Sequence, residues 1–179
     1  MAGQVWNPET AGGLKMYYAK LETWLCEMVF VGDEHGISLL HLCTEKNKRN
    51  FAVSEDWIEN SGFFKDEILQ IKEYLAGERQ NFDIKLNPEG TEFQKKVWRR
   101  LCQIPYGKTA KYKEIALSIG NGDASRAVGM ANGKNPIPLI IPCHRVVGSD
   151  GKLTGYAFGL GIKQKLISLE KENCNESSR

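Results

Sequence analysis

The chain has 179 residues, of which 41% are hydrophobic and 26% are charged, and its formal net charge is +2. These are values of a globular protein, since disordered chains are poorer in apolar residues and a membrane-spanning helix needs about 20 of them in a row. Residues 1–14 contain neither a basic start nor a continuous apolar core. We therefore expect an intracellular protein with no signal peptide and no membrane partner, located in the cytoplasm, or in the nucleus if its source is eukaryotic.

The five cysteines are an odd number with wide and irregular spacing. This pattern predicts free thiols in a reducing compartment and argues against a disulfide-framed secreted domain. Four side chains of the first half are the candidates for holding zinc: Cys26, His35, His41 and Cys43. Their spacing fits no zinc motif, so we expect no metal site.

The first half begins with alternating and β-branched segments that are typical of strands. Residues 17–25 and 28–31 are predicted as strands, residues 32–36 as a turn, and residues 37–42 as the strand that completes a hairpin. Apolar residues then recur at helical spacing over residues 63–76, and this pattern stops at Gly77. The sequence therefore predicts a sheet followed by one helix.

A short strand over residues 82–86 and a linker over residues 87–90 are predicted to end the first half. We place the domain boundary there, with a scaffold lobe over residues 1–86 and a second lobe over residues 87–179. Thr91 is a candidate cap for a helix whose apolar residues share one face and which ends before Pro105. A frayed tail is expected after Glu170.

Positive charge is concentrated at the start of the second lobe. Between Gly90 and Lys113 one acid, Glu92, stands against seven basic residues: Lys95, Lys96, Arg99, Arg100, Lys108, Lys111 and Lys113. Most of the acids lie in the first half, and this asymmetry favours a second lobe that faces DNA. The alternative is an ordinary solvated helix face.

A helix-turn-helix is predicted from three consecutive segments. They are helical spacing over residues 111–119, a glycine-rich turn at 120–122, and a short helix over 124–131 with Asp123 as its cap. Around Arg126 the second helix carries mainly small residues, including Ala127. Small residues let a helix backbone approach a narrow groove, where an arginine can enter the minor groove or fill a gap in the base stack. A tightly packed helix pair with a surface arginine is the alternative.

The strongest chemical signal is Cys143, which lies in the most apolar stretch of the chain and is followed by His144 and Arg145. A thiol reacts as its thiolate, and apolar surroundings disfavour that form unless a base or a positive charge lies beside it. His144 and Arg145 are both candidates for that base or positive charge. Pro142 fixes φ directly before the cysteine, which argues for a defined geometry. The alternative is a small buried hydrophobe.

Six segments of the second lobe occur in an order that resembles one known family: Pro105-Tyr106-Gly107, Tyr112, Ser125-Arg126-Ala127-Val128-Gly129, Asn135-Pro136, Ile141-Pro142-Cys143-His144-Arg145-Val146 and Gly155-Tyr156. They resemble the O6-alkylguanine-DNA alkyltransferases. The resemblance covers about residues 93–170. It implies an α+β fold, with an N-terminal β-sheet lobe of ribonuclease H-like topology and a mostly helical C-terminal lobe that contains a winged helix-turn-helix.

By this resemblance Cys143 would take the alkyl group from O6 of a guanine flipped through the minor groove, and His144 would remove the thiol proton through a water. Glu170 would orient His144. Tyr112 would donate a hydrogen bond to the guanine, and Asn135 would tie the cysteine segment to the helix-turn-helix. Arg126 would replace the extruded base, with DNA contacts also made by flanking and basic residues: Ser125, Ala127, Lys95, Lys96 and Arg99.

The guanine pocket implied by the resemblance comprises the backbone of Val146, with Tyr156, Ala157, Phe158 and Lys163. Two of these depart from the family pattern. Ala157 replaces a hydroxyl found in some relatives, and Phe158 stands where glycine is frequent. We expect the ring to narrow the pocket and to disfavour bulky adducts.

A thioether is not a leaving group under these conditions, so the protein would be used once per lesion and would need no metal or organic cofactor. Its partner would be duplex DNA carrying O6-alkylguanine, with O4-alkylthymine as a second substrate, and it would act as a monomer. Two other classes compete: a lesion-binding module without catalysis, against which Cys143 stands, and a cysteine hydrolase or redox protein. In cysteine hydrolases the catalytic histidine usually lies far from the cysteine in the sequence, which argues against a hydrolase. No second cysteine lies at C-x-x-C spacing, which argues against a redox protein.

Overall fold

The computed structural model describes residues 15–46, 49 and 51–176. Its first half contains strands β1 (Tyr17–Leu21), β2 (Glu27–Asp33), β3 (Gly36–Cys43) and β4 (Ile58–Glu59). They form one sheet in the order β3-β2-β1-β4, in which β1 pairs antiparallel with β2 and parallel with β4. The predicted hairpin is confirmed as β2 and β3.

The predicted strand over residues 17–25 is too long, because β1 ends at Leu21. The hydroxyl oxygen of Thr23 accepts hydrogen bonds from the backbone N–H groups of Leu25 and Cys26, both at 3.2 Å. A threonine side chain that bonds its own backbone replaces the ladder by a turn. The chain reverses there and returns as β2.

Helix α1 (Lys65–Leu75) confirms the predicted helix. It ends just before Gly77, where the sequence predicted the stop, and the φ of Gly77, 82°, lies in the left-handed region. The N–H of Gly77 bonds to the carbonyl of Tyr74 and that of Glu78 to the carbonyl of Glu73, at 3.1 and 2.9 Å. This pair of bonds is a Schellman motif, and it fixes the last turn of α1.

The predicted strand over residues 82–86 is wrong. Only Leu86 forms a bridge, to Ile37 at the start of β3. Gly36 lies so close to this segment that a Cβ atom built there would be 2.3 Å from the carbonyl oxygen of Lys85. Strand pairing is limited to this one bridge, so no ladder develops.

The second half is mostly helical. Its elements in chain order are α2 (Glu92–Leu101), β5 (Ala110–Lys111), α3 (Tyr112–Ser118), α4 (Ser125–Gly133), a 3-10 turn (Cys143–Arg145), β6 (Val146–Val147) and α5 (Leu160–Glu176). Strands β5 and β6 pair in parallel. Helices α3 and α4 form the predicted helix-turn-helix, and the β6 segment follows as its wing.

Of the two predicted helix caps, one is confirmed and one is wrong. Thr91 caps α2 in a capping box, because its side chain accepts from the N–H of Gln94 while the Gln94 side chain accepts from the N–H of Thr91. Asp123 does not cap α4, whose cap residue is Ala124 and has no side-chain hydrogen bond. The predicted frayed tail after Glu170 is wrong for residues 171–176, since α5 continues to Glu176 and Cys174 packs on Tyr106. Residues 177–179 lie outside the described residues.

The two halves share one hydrophobic core. It includes Phe30 and Leu40 from the sheet, Tyr74 from α1, and Leu101 and Leu166 from the second half. The backbone also crosses between the halves, where the N–H of Leu40 donates to the carbonyl of Pro136. None of the helices within the described residues combines the length and the apolarity that a bilayer crossing requires.

Candidate active site

A sharp turn delivers Cys143 into the core. Pro142 has φ −81° and ψ 63°, the values of an inverse γ-turn. The turn is closed by a hydrogen bond of 2.8 Å from the N–H of Cys143 to the carbonyl of Ile141. The 3-10 turn begins at Cys143, and the side chain of this cysteine is almost fully buried. The proline therefore sets the direction from which the thiol enters the site.

Asn135 ties this turn to the end of α4. Its Nδ2 donates to the carbonyl of Ile141 at 2.8 Å, and its Oδ1 accepts from the N–H of Ile137 at 3.0 Å. The side chain is completely buried. Because both bonds go to backbone, Asn135 holds the segment before the cysteine in one conformation.

His144 faces away from solvent and pairs with Glu170 of α5. Its Nε2 lies 2.8 Å from Oε1 of Glu170, and both side chains are at most 1% exposed. An ionised carboxylate only accepts hydrogen bonds, so the proton of a neutral His144 is on Nε2. Its Nδ1 is buried and has no hydrogen-bond partner among the described residues. That nitrogen is a free base inside the protein.

Arg145 completes the carboxylate site and does not serve the thiol. Its Nε and Nη2 donate to Glu170 at 2.9 to 3.0 Å, and its Nη1 donates to the carbonyl of Ile104 at 2.6 Å. The N–H of Gly107 donates to the second carboxylate oxygen at 3.0 Å. Of the two neighbours that the sequence offered to Cys143, the structure leaves only His144 as a base.

These contacts set the charge of the histidine and the carboxylate. Burial would raise the pKa of Glu170, but hydrogen bonds from His144 and Arg145, with the charge of Arg145, offset this and hold the pKa below its ordinary value. Burial lowers the pKa of His144, and Glu170 opposes this only in part. At neutral pH the pair is therefore a carboxylate and a neutral imidazole.

Burial raises the pKa of the Cys143 thiol. Asn135, Arg49 and Lys163 act in the opposite direction without overcoming it. The resting thiol is therefore protonated at neutral pH and needs a base when it reacts.

Lys163 of α5 is buried and holds the wing against the site. Its Nζ donates to the carbonyls of Val146 and Thr154 at 2.6 and 2.8 Å. Burial lowers its pKa to about 8.

Tyr112 begins α3 and reaches the loop that follows the wing. A Cβ built at Gly129 would lie 3.7 Å from its ring, and one built at Gly155 would lie 3.9 Å from its hydroxyl. These are ordinary van der Waals distances, so α4 and the loop both lie against the tyrosine. Burial raises the pKa of Tyr112, a hydrogen bond with Thr154 opposes this, and the neighbouring Cys143 adds to the rise.

The three residues predicted to wall the pocket lie between the two halves. Tyr156 and Ala157 are partly buried, and burial followed by the neighbouring Cys143 raises the pKa of Tyr156 well above its ordinary value. Phe158 is only 1% exposed, and its ring contacts His41 and Tyr156. Its bulk therefore packs against protein, and the expected effect on bulky adducts stays a prediction.

Sequence reasoning missed two residues from the first half. Tyr74 donates to Glu170, and Arg49 donates to the carbonyls of Asn135 and Gly133 while its guanidinium lies 5.0 Å from the ring centroid of Phe158. Tyr74 lies on the apolar face of α1, where its spacing is that of any core residue. Neither position carries a signal in the sequence, because both contacts join segments far apart in the chain.

The predicted DNA-binding residues lie on two adjoining helices. Arg126 and Ala127 are exposed on α4 and Ser125 is partly buried, while Lys96 and Arg99 are exposed on α2. Lys95, also on α2, is partly buried. The indole N–H of Trp98 joins the helices by donating to the carbonyl of Ala131 at 2.9 Å.

Within the described residues no group of three histidine, cysteine or acidic side chains is arranged to hold a metal. His41, one of the zinc candidates, instead stacks on Phe51 at 4.2 Å between ring centroids. Burial, followed by the charge of Arg49, lowers its pKa to about 4.

Comparison with known proteins identifies the family. Residues 16–88 match the ribonuclease-like domain of 6-O-methylguanine DNA methyltransferase, and residues 92–172 match its DNA-binding domain. A methylated-DNA–protein-cysteine methyltransferase of Methanosarcina barkeri is 53% identical over 88% of this chain and 99% of its own length. The chain belongs to the 6-O-methylguanine DNA methyltransferase family.

Two further members of the family are similar to this chain, one in sequence and one in structure. The methylated-DNA–protein-cysteine methyltransferase of Mycolicibacterium paratuberculosis is 53% identical over 68% of this chain and 73% of its own. The crystal structure of the Mycobacterium tuberculosis O6-methylguanine methyltransferase is 40% identical, with a TM-score of 0.80 over 88% of this chain and 94% of that one. The α+β fold class predicted from sequence is confirmed.

Proposed function

We propose that this protein repairs duplex DNA by moving the alkyl group from O6 of guanine irreversibly to Cys143. The observation that carries the proposal is the buried thiol followed in the chain by a neutral His144 with an unpartnered Nδ1, held by Glu170. Membership of the methyltransferase family supplies the reaction class.

In the proposed step, the thiol proton of Cys143 passes to Nδ1 of His144 through a water as the sulfur attacks the alkyl carbon in line with O6. The S–C bond forms, the C–O6 bond breaks, and its electron pair goes to guanine, which takes up the proton. An alkyl carbon favours a soft, desolvated nucleophile, and the burial of Cys143 meets this need. His144 is neutral at rest and can accept a proton at neutral pH.

Tyr112 is proposed to donate a hydrogen bond to the leaving guanine, which offsets the negative charge that develops on the base. Its position between α4 and the loop at Gly155 supports this role. We propose that the pocket for guanine is formed by the Val146 carbonyl, Tyr156, Ala157, Phe158 and the wing held by Lys163. Alkylated thymine is the second base to be tested.

DNA is proposed to bind across α4, with Arg126 in the space that the flipped base leaves. The exposure of Arg126 on a helix of small residues supports this. A solved relative supports the partner: the Mycobacterium tuberculosis OGT in complex with DNA is 39% identical, with a TM-score of 0.82. Flanking contacts are assigned to Ser125, Ala127, Lys95, Lys96 and Arg99.

The product is a thioether on Cys143, which is not displaced again, so each molecule acts once. The acceptor, the base and the proposed base-replacing arginine all belong to one chain, and we therefore propose that a monomer is the active form. Incubation with a duplex containing one O6-methylguanine should raise the intact mass of the protein by one methyl group. A lesion-binding module would bind the duplex without any gain in mass, and a hydrolase would gain none.

The pH dependence of transfer should follow His144. Burial lowers the pKa of His144 below its ordinary value of 6.5, and protonation of Nδ1 stops the reaction. Single-turnover rates with saturating duplex should therefore fall toward acid pH with a midpoint below 6.5. Circular dichroism at each pH serves as the folding control. A half-maximal rate at or above pH 6.5 would contradict this assignment.

Arg126→Ala should slow the repair of duplex DNA much more than the reaction with the free base O6-methylguanine. Extrusion of a paired base costs a few kcal/mol, so losing the side chain that offsets it should reduce the duplex rate by up to about 100-fold. Arg99→Ala is the matched control, because it removes the same charge from α2. It should weaken binding to all sequences and flatten its salt dependence. Equal losses of Arg126→Ala on duplex and free base would refute the role.

A further inference from the structure

Tyr74 is the one described side chain of the first half that hydrogen-bonds to the His144–Glu170 pair. Its hydroxyl lies 2.6 Å from Oε1 of Glu170 and 3.4 Å from Nε2 of His144. The side chain is fully buried, and α1 carries it from the opposite half of the molecule. That half matches the ribonuclease-like domain of the family.

The direction of the hydrogen bond follows from proton counting. Glu170 is a carboxylate and has no proton to give, so Tyr74 donates to it. Burial, followed by the charge of Glu170, raises the pKa of Tyr74 well above its ordinary value. The hydroxyl therefore keeps its proton throughout the working range, and the hydrogen bond persists there.

The bond goes to the oxygen that also holds the histidine. Oε1 accepts from Tyr74 at 2.6 Å, from His144 at 2.8 Å and from Arg145 at 2.9 Å. Because Tyr74 comes from α1 and Arg145 from the 3-10 turn, the oxygen is held by donors from two different elements. Its location decides where the Nε2 proton points, and therefore which way Nδ1 faces.

The tyrosine is itself rigidly held. Its ring packs at 5.1 Å from Phe82 and, edge-on, at 5.9 Å from Tyr106, measured between ring centroids. The Schellman motif at Gly77 fixes the turn of α1 that carries it. A rigid donor can transmit the position of the first half to the catalytic pair.

We infer that Tyr74 is a positioning residue for alkyl transfer: by holding Oε1 of Glu170 it keeps the proton of His144 on Nε2 and aims Nδ1 at the thiol proton. The inference rests on the proposed function. It makes the first half a contributor to the reaction as well as a scaffold. The groups that act on His144 in this arrangement are Glu170 and Lys163 of α5, with Arg145 and Tyr74.

The test is Tyr74→Phe, which keeps the ring and removes only the hydroxyl. At saturating duplex, the single-turnover rate constant for methyl uptake should fall about tenfold, as expected for losing a hydrogen bond to a charged group. The fraction of molecules that react and the DNA concentration for half-saturation should stay at parent values. A purely structural hydroxyl would lower that fraction and leave the rate constant unchanged.

Tyr106→Phe is the matched control. It removes a hydroxyl from the ring next to Tyr74, and that hydroxyl contacts Asn173, not the carboxylate. Its rate constant should match that of the parent. In protein labelled with ¹⁵N-histidine, Nε2 of His144 should carry the proton in the parent, and a population protonated on Nδ1 should appear in Tyr74→Phe.

Each outcome separates this inference from the proposed function. If the parent takes up no methyl group, the proposed function fails. If the parent reacts and Tyr74→Phe reacts within twofold of it, the role of Tyr74 fails while the function stands. Equal slowing by Tyr74→Phe and Tyr106→Phe, or a loss confined to the reacting fraction or to DNA binding, would equally overturn the positioning role.

Discussion

Cys143→Ser should accept no methyl group from O6-methylguanine DNA. A serine hydroxyl is far less nucleophilic than a thiol toward an alkyl carbon, and His144 is too weak a base to ionise it. Binding of the damaged duplex should be retained, because the exposed residues of α2 and α4 are unchanged. Intact mass measures the transfer, and fluorescence anisotropy measures the binding.

Cys102→Ser is the matched control, since Cys102 is exposed and lies outside the site. It should take up one methyl group at the parent rate. Peptide mapping of the parent should place that methyl on Cys143. A methyl on another thiol would overturn the assignment of the acceptor, and the alternatives are Cys26, Cys43, Cys102 and Cys174.

Arg145→Met should destabilise the fold more than a surface substitution does. The change leaves the Glu170 carboxylate buried without its guanidinium partner, and breaking a buried ion pair in this way costs about 3–5 kcal/mol in the free energy of unfolding. Methyl transfer should fall with it, because Glu170 no longer holds His144 in place. Urea denaturation at neutral pH measures the first effect, and single-turnover kinetics measures the second.

Arg126→Met controls for the loss of an arginine as such. Arg126 is exposed on α4, so its replacement should change stability by less than about 0.5 kcal/mol. The double variant with Arg145→Met and Glu170→Gln should recover part of the stability, because the amide carries no charge that needs a partner. A loss below about 1 kcal/mol for Arg145→Met would show that the carboxylate is adequately held by its other donors.

Local patterns in the sequence predicted most of the secondary structure. The apolar spacing of α1 and α2, the glycine at the end of α1 and the threonine that caps α2 each act within a few residues. The errors have a different cause. Residues 82–86 alternate like a strand but meet β3 at one point only, and α5 runs past Glu170 because Cys174 packs on Tyr106.

In the candidate site, too, local sequence predicted one part, and contacts between distant segments determine the other. The adjacency of Cys143 and His144 and the proline before them are properties of the chain, and they predicted where the chemistry lies. The assignment of Arg145 to Glu170 depends on α5 returning beside the 3-10 turn. The sequence left open whether Arg145 or His144 would serve the thiol. The geometry commits Arg145 to Glu170 and leaves His144 as the candidate base.

The sequence by itself determined the family, the adjacency of Cys143 and His144 and the helix-turn-helix, since these depend on residue types at short spacing. Only the tertiary structure decided the charge states and brought a side chain of the first half to the Glu170 carboxylate. A buried group takes its pKa from neighbours that are distant in the chain, as Glu170 does from Arg145. Tyr74 reaches the same carboxylate from 96 positions away, and such a contact exists only after both halves have packed into one core.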